Sequence, residues 1–291
     1  MIRVLVMGRH GMLGHRVFSV LNACEGVEVE GAARTAQCGA LPLDAEAGLE
    51  LLREFLRSGQ YDYAVNCVGI TKNKIDSSSP ESTAHAIAVN ALFPHKLAAA
   101  ARESGTRVVH ISTDAVFSAS QESCVESDKP NPTDVYGLTK VLGEVSDTCF
   151  LTIRCSIVGI DPNQRRGLVE WVRGQSAGAC LSGYTDHLWN GVTTQQFAEV
   201  CRSIIVEDAF TALREEGAVH HFCPNSAVSK YDLIRMIAAV FAVDVEVLPT
   251  QGPEGPVERI LATEHRGLSE IYGGREQSSI EEAMRRLRDE E

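Results

Sequence analysis

Through the first 155 residues, short apolar runs alternate with stretches of helical spacing. "IRVLVM" at 2–7, "VEVEGAA" at 27–33, "DYAVNCV" at 62–68, "RVVHIS" at 107–112 and "FLTIRC" at 150–155 read as strands. Strands written as apolar runs, without alternation, are buried on both faces. Between them, 12–22, 46–58, 80–104 and 136–147 read as helices; in the second, Leu49, Leu52, Phe55 and Leu56 share one face. Strand and helix in strict alternation predict an α/β fold with a Rossmann-type, doubly wound parallel sheet and right-handed crossovers.

The pattern loosens after about residue 160. "DPNQRRG" at 161–167 and "GQSAGACLSGYTDHLWNG" at 174–191 are loop-rich. Thr193 or Thr194 could cap a helix over "QQFAEVCRSII", and Ser229 a further helix to about Val240. "AVHHFC" at 218–223 and "VEVLPT" at 245–250 read as strands, and "QGPEGP" at 251–256 as a turn. His220 and His221 read as packing residues on the first of these strands. The expected division is a sheet domain over 1–155, with 186–222 returning to it. A smaller, irregular α/β cap takes 156–185 and 223–291.

The chemistry starts in the first strand–helix turn. "GRHGMLG" sets Gly8, Gly11 and Gly14 between a strand and a helix, with Arg9, His10, Met12 and Leu13 among them. Such a turn brings backbone close to a pyrophosphate and aims the helix N-terminus at it. The spacing is G-x-x-G-x-x-G, not G-x-G-x-x-G, so its weight comes from its place after the first strand. The reading is a dinucleotide site. An acidic residue ending the second strand would hold a ribose 2′-hydroxyl, whereas an arginine there accommodates a 2′-phosphate. Here the strand runs into "GAART", with Arg34 at that place and Arg9 as a second cation. NADP(H) is therefore favoured and NAD(H) remains open.

Tyr136 and Lys140 stand four apart, on one face of a helix if 136–147 is helical. A lysine cation lowers the tyrosine pKa, and its ammonium can hold a cofactor ribose. Alone, the pair is equally two side chains on a solvated helix. It follows a strand ending in Ser112 and Thr113, however, and open α/β sheets place their ligands at such strand ends.

Composition narrows the classes. The net charge of −12, without a Lys/Arg cluster, excludes a groove for nucleic acid. No apolar run approaches the roughly 18 residues of a membrane helix. The first strand begins at Ile2, leaving no room for a secretory leader, so a cytoplasmic protein is expected. Nine irregularly spaced cysteines without C-x-x-C predict reduced thiols and no metal site. The C-terminal "EEAMRRLRDEE" reads as a solvated helix. Oligomeric state is not legible, and a homodimer is compatible.

"GRHGMLG", "NCVG", "VNA", "ISTDAVF" and "YGLTKVLGE", in this order and at these intervals, resemble the extended short-chain dehydrogenase/reductases, within them the dTDP-4-dehydrorhamnose reductase type. The resemblance is strongest over 1–160 and weaker through "WNGVTTQQFAEV" and "SKYDL". It implies a nucleotide-sugar substrate, with Tyr136 as general acid, Lys140 on the nicotinamide ribose and Thr113 on the substrate oxygen. It also implies Leu43 and Asp44 at the adenine, Cys67, Val68 and Gly69 along the cofactor, and Cys155 near the nicotinamide. Asn90 would be structural or beside the cofactor. Asp114, His187, Trp189 and Asn190 are expected at the substrate, with Trp189 either stacking on a ring or anchoring its loop.

Two departures count. Asp114 is followed by Ala115, not by the glutamate of the related dehydratases, which argues against elimination chemistry. The loop "SGYTDHLWNG" also differs from the reductase pattern and leaves the sugar open. Two alternatives stand beside a reductase. One is an epimerase or epimerase/reductase using the same three residues. The other is a non-catalytic, dinucleotide-binding subunit resembling the regulatory subunit of methionine adenosyltransferase.

Overall fold

The computed structural model describes residues 1–119, 123–163, 165, 167–273 and 279–289. In β1 (Ile2–Met7) alternate side chains enter opposite cores: Val4 and Val6 one, Leu5 and Met7 the other. That two-sided burial is why the strand carries no polar alternation. α1 (Gly14–Asn22) starts two residues later than expected, since 8–13 are spent on the turn. β2 (Val27–Ala33), the short β3 (Leu41–Pro42), α2 (Leu49–Gly59) and β4 (Tyr63–Asn66) follow.

The single helix expected over 80–104 is two. α3 (Pro80–Ile87) is capped by Ser79, with Pro80 in the first turn where its missing N–H costs nothing. A π-turn over Ala88–Leu92 then joins it to α4 (Phe93–Ser104). Such a widened turn often marks a functional position, and here it carries Asn90. β5 (Arg107–Ser112) leads to α5 (Val135–Leu142), which stops short of the expected residue 147. Gly143 N–H closes it on the Thr139 and Lys140 carbonyls, and the chain turns inward to bury Glu144.

β6 (Phe150–Arg154), β7 (Ile157–Val158), α6 (Leu168–Arg173), β8 (Ala179–Tyr184), β9 (His187–Trp189) and β10 (Val192–Thr193) come next. Thr193, not Thr194, caps α7 (Thr194–Val206) in a full capping box with Gln196. α8 (Phe210–Glu216) and β11 (Val219–His221) return to the sheet. The last elements are β12 (Val228–Ser229), α9 (Lys230–Val240) capped by Ser229, β13 (Val245–Thr250), β14 (Val257–Arg259), α10 (Gly267–Ile271) and α11 (Ile280–Asp289).

Seven parallel strands form the central sheet in the order β11-β6-β5-β4-β1-β2-β3. α1 and α7 cover one face; α2 and α4 cover the other. Direction of winding reverses between β1 and β4, and a crevice at such a switch point is where doubly wound sheets bind ligands. The cap has its own core, in which α6 and α9 meet α11 and the paired β8 and β13. β9 pairs with β12 and β14. α11 is not a solvated helix: Ile280, Ala283, Met284 and Leu287 are buried, and only its other face is wet. No helix among the described residues is long and apolar enough to cross a membrane.

Candidate active site

The glycine turn is held by backbone. The N–H groups of Gly8 and Arg9 both donate to the Ala32 carbonyl, and Gly11 N–H donates to Gly8 O at 2.8 Å. Gly8 lies at φ +78°, a region that favours glycine. A Cβ on Gly14 would stand 2.2 Å from Gly8 O, so α1 can approach its own entry turn only without a side chain there. This leaves a bare backbone cradle at the carboxyl end of β1.

The neighbouring loop, Cys67–Gly69, is shaped from beneath. Val68 N–H donates to Asn66 Oδ1, and Asn66 Nδ2 donates to His110 Nδ1 at 3.0 Å. Burial, then the Lys140 charge, push His110 well below its usual pKa, so the ring is neutral. From the π-turn, Asn90 Oδ1 accepts from Ile70 N–H, while its amide donates to Ile70 O and to Thr139 Oγ1. Asn90 therefore ties the loop after β4 to the helix that carries the tyrosine.

α5 begins at Asp134, whose carboxylate accepts from Gly137 N–H at 2.8 Å and pairs with Lys72. A Cβ at Gly137 would lie 2.3 Å from Ala115 O; its absence lets the first turn press on the segment after β5. Tyr136 and Thr113 thereby become neighbours, and the threonine side chain favours the ionised phenol. Burial outweighs that and pushes Tyr136 up to about 12. The expected lowering by Lys140 does not occur in this arrangement. Lys140 Nζ instead donates to Ile111 O at 2.6 Å. Burial brings Lys140 down to about 8, with Glu144, Cys155 and Cys67 acting in the opposite sense. Cys67 is pushed up to about 12 by burial, and Cys155 well above its usual range, so both thiols stay neutral.

Thr113 Oγ1 donates to Asp114 Oδ1 at 3.0 Å. Asp114 is buried, which raises its pKa against the pull of Arg259. Arg259, on β14 of the cap, also donates to Phe117 O. Sequence reasoning missed this arginine, and also a buried chain behind the site. Ser112 Oγ donates to Glu144, Glu144 pairs twice with Arg154 at 2.7 and 2.8 Å, and Arg154 reaches His221. His221, expected only to pack, continues the chain to the Ala262 carbonyl.

Other expected residues are more dispersed. Arg34 and Asp44 are exposed at the rim beyond β2, and Leu43 is buried against Ala33. The Arg9 side chain crosses Gly31 and stacks on Phe18, its guanidinium carbon 3.8 Å from the ring centre. The His10 carbonyl accepts from Asn163, and Met12 faces Gly167, so the glycine turn touches a loop from the cap side. Leu13 is buried in the sheet core. Just after β9, Asn190 exchanges two hydrogen bonds with the Leu261 backbone. Trp189 packs on the cap core, and the His187 ring lies tilted at 51° against Tyr184. Trp189 is half-buried there, and the Asn190 side chain is engaged by backbone. A cavity of about 1090 Å³ lies among Thr185, Leu188, Tyr231, Arg235 and Val245, and touches none of Thr113, Tyr136 or Lys140. The carboxyl end of the sheet is the stronger candidate, because Thr113, Tyr136 and Lys140 converge there at the end of β5.

The family model described as RmlD substrate binding domain matches residues 2–260. The chain belongs to that family, the dTDP-4-dehydrorhamnose reductase type of extended short-chain dehydrogenase/reductases. Among its relatives, the dTDP-4-dehydrorhamnose reductase of Mycolicibacterium smegmatis is 35% identical over 49% of this chain. The match spans 40% of that relative's own length. The methionine adenosyltransferase 2 subunit beta of Danio rerio is 26% identical over 82% of this chain and 74% of its own. A solved dTDP-4-dehydrorhamnose reductase from Bacillus anthracis, in complex with NADP, shares the fold with a TM-score of 0.77 at 18% identity, over 100% of this chain and 99% of its own. In this member of the reductase family, the glycine turn, Thr113, Tyr136, Lys140 and Arg259 all fall inside the matched residues. α10 and α11 lie beyond them.

Proposed function

We propose that the protein is an NADP(H)-dependent reductase of a keto group on a nucleotide-linked deoxysugar. The observation that carries this is Tyr136 beside Thr113 at the end of β5, on the same sheet edge as the bare glycine turn after β1, two strands along. The turn of Gly8, Gly11 and Gly14 suits a pyrophosphate, since α1 can press on Gly8 only without a side chain at Gly14 and its N-terminus then opens at the bare backbone of the turn. Arg9 and the exposed Arg34 at the end of β2 favour a 2′-phosphate. When bound, the reduced nicotinamide supplies a hydride.

The chain's own residues do the rest. Thr113 holds the substrate oxygen, and Tyr136 gives its phenolic proton to that oxygen as negative charge develops there. A phenol kept neutral by burial has its proton in place throughout the working range. Lys140, freed from Ile111 O, holds the cofactor ribose and steadies the phenolate left behind. Asp114, with Arg259 beside it, borders the same oxygen and accepts the single Thr113 hydroxyl proton until the substrate oxygen replaces it as acceptor. We assign the sugar nucleotide to the cap, residues 156–185 and 223–291, closing over the sheet domain.

The test is cofactor oxidation against a panel of 4-keto-6-deoxy nucleotide sugars. The reading expects one equivalent of NADPH consumed per sugar reduced. Tightly held NAD that is recycled without net consumption would make the protein an epimerase instead. The breadth of the match to the Danio rerio subunit favours a second reading, a dinucleotide-binding subunit. Capture of a catalytic partner, together with no turnover on any keto sugar, would decide for that one.

Lys140 sets a pH dependence. Its folded pKa of about 8 lies below the ordinary 10.5, so the ammonium is lost as pH rises through 8. NADPH affinity, followed by fluorescence titration, is expected to weaken above that pH, and in Lys140→Met to be weak and flat across it. Stability moves oppositely. Between about 8 and 10.5 the unfolded chain holds this proton more firmly, so Lys140's contribution grows as pH rises.

A further inference from the structure

At the far edge of the sheet from β3, three potential ligands converge: Glu216 at the end of α8, His220 on β11 and His265 before α10. One ligand atom from each lies within 4.8 Å of the other two. His220 is fully buried, and its Nε2 lies 2.9 Å from Leu213 O. A carbonyl can only accept, so Nε2 carries the proton and Nδ1 is a bare lone pair. That Nδ1 has no hydrogen-bond partner among the described residues, and it faces Glu216 Oε2 at 3.8 Å, too far for a hydrogen bond. Nδ1 of His265 is likewise buried and without a partner. The two rings stand 4.6 Å apart. The His220 lone pair and the unpartnered His265 Nδ1, gathered beside one carboxylate, leave a costly gap.

We propose that Glu216, His220 and His265 bind one divalent transition metal ion, zinc by its donor set. Two imidazoles and a carboxylate, with the fourth position open toward the solvent-exposed side of Glu216, form a common three-ligand zinc arrangement. Tetrahedral bonds of about 2.1 Å need ligand atoms roughly 3.4 Å apart, so the three must draw together by an ångström or so. His220 is fixed by the Leu213 carbonyl, in the way metal-bound histidines are oriented by a backbone acceptor. Glu216 is steadied by the N–H groups of Arg266 and Gly267. His265 sits over Gly217, where a Cβ would meet its ring at 2.4 Å, so that glycine makes room for the imidazole. An ion here would join α8, the edge strand and the stretch leading to α10. The same stretch supplies Ala262 to the buried His221 chain, so the ion would fasten the cap's return segment to the sheet.

The test is Co²⁺ and Zn²⁺ binding by the full chain after chelator treatment. Wild type is expected to take up one equivalent of Co²⁺ with visible ligand-field bands and no thiolate charge-transfer band. Zn²⁺ should displace it and raise the unfolding midpoint. His265→Ala and Glu216→Gln should each weaken binding by more than about 10-fold, since loss of a mere supporting contact already costs that much, and should abolish the zinc-dependent rise. Far-ultraviolet dichroism shows that each variant is folded. Replacing the exposed Cys38 and Cys180 with serine should leave binding unchanged. The proposal is overturned if wild type binds no ion, if both ligand variants bind as wild type does, or if a thiolate band appears and vanishes with those cysteines.

Discussion

Replacing Tyr136 with phenylalanine is expected to slow reduction of a keto nucleotide sugar by roughly 100- to 10,000-fold, the span that positioned proton donors contribute. Only the phenolic oxygen is removed, and the ring keeps its place in the first turn of α5. NADPH affinity should therefore stay within a few-fold of wild type. The pH profile should keep its shape. In wild type the phenol, pushed up to about 12, stays protonated across the working range, and the falling limb follows Lys140 near 8. The residual activity of the variant should keep that limb, because cofactor binding still depends on Lys140. Unchanged turnover in Tyr136→Phe would remove the tyrosine from the mechanism.

The largest stability effect is expected at Arg154. Its guanidinium and the Glu144 carboxylate are almost wholly out of water, at 5% and 7% side-chain exposure, and joined by two hydrogen bonds. Arg154→Met leaves Glu144 as an uncompensated buried charge, a change that costs roughly 3–5 kcal/mol. The urea midpoint should fall accordingly. Adding Glu144→Leu should recover most of the loss, because the penalty belongs to the orphaned charge rather than to the missing pair. Ser112 and Thr113 sit at and just past the strand end that this pair supports, and Lys140 reaches the same strand at Ile111 O, so the single variant should also lose activity. A double variant no more stable than Arg154→Met would refute the assignment.

Where burial is two-sided and continuous, the sequence was legible. β1 and β5 appear with the bounds their apolar runs predict; β2 and β13, whose "VEVE" and "VEVL" alternate, do so as well, because their period of two is a strand signal in itself. The cap was read poorly. β9, β12 and β14 are two or three residues each and owe their existence to partners some 40 to 70 residues away, so no local period announces them. The π-turn escaped for another reason. Its residues are good helix formers, and only the tertiary demand on Asn90 widens the helix.

At the site, residue types and order were legible, but electrostatics were not. Spacing alone puts Lys140 next to Tyr136 and predicts a lowered phenol pKa. Burial, which spacing does not show, governs both groups and moves the tyrosine the other way. Arg154 carried a clue that could have been used: a charged residue inside "FLTIRC", a strand otherwise apolar on both faces, requires a buried partner. Arg259 offered none, since it comes to Asp114 only through the fold of the cap.

The most direct measurement supplies NADPH carrying deuterium at the transferable position, together with a 4-keto-6-deoxy nucleotide sugar, and examines the product by mass spectrometry and proton NMR. The proposed reductase predicts a product with one deuterium, on the former carbonyl carbon, and one equivalent of NADP⁺ formed. A sugar recovered unlabelled, or epimerised without net cofactor oxidation, would contradict it.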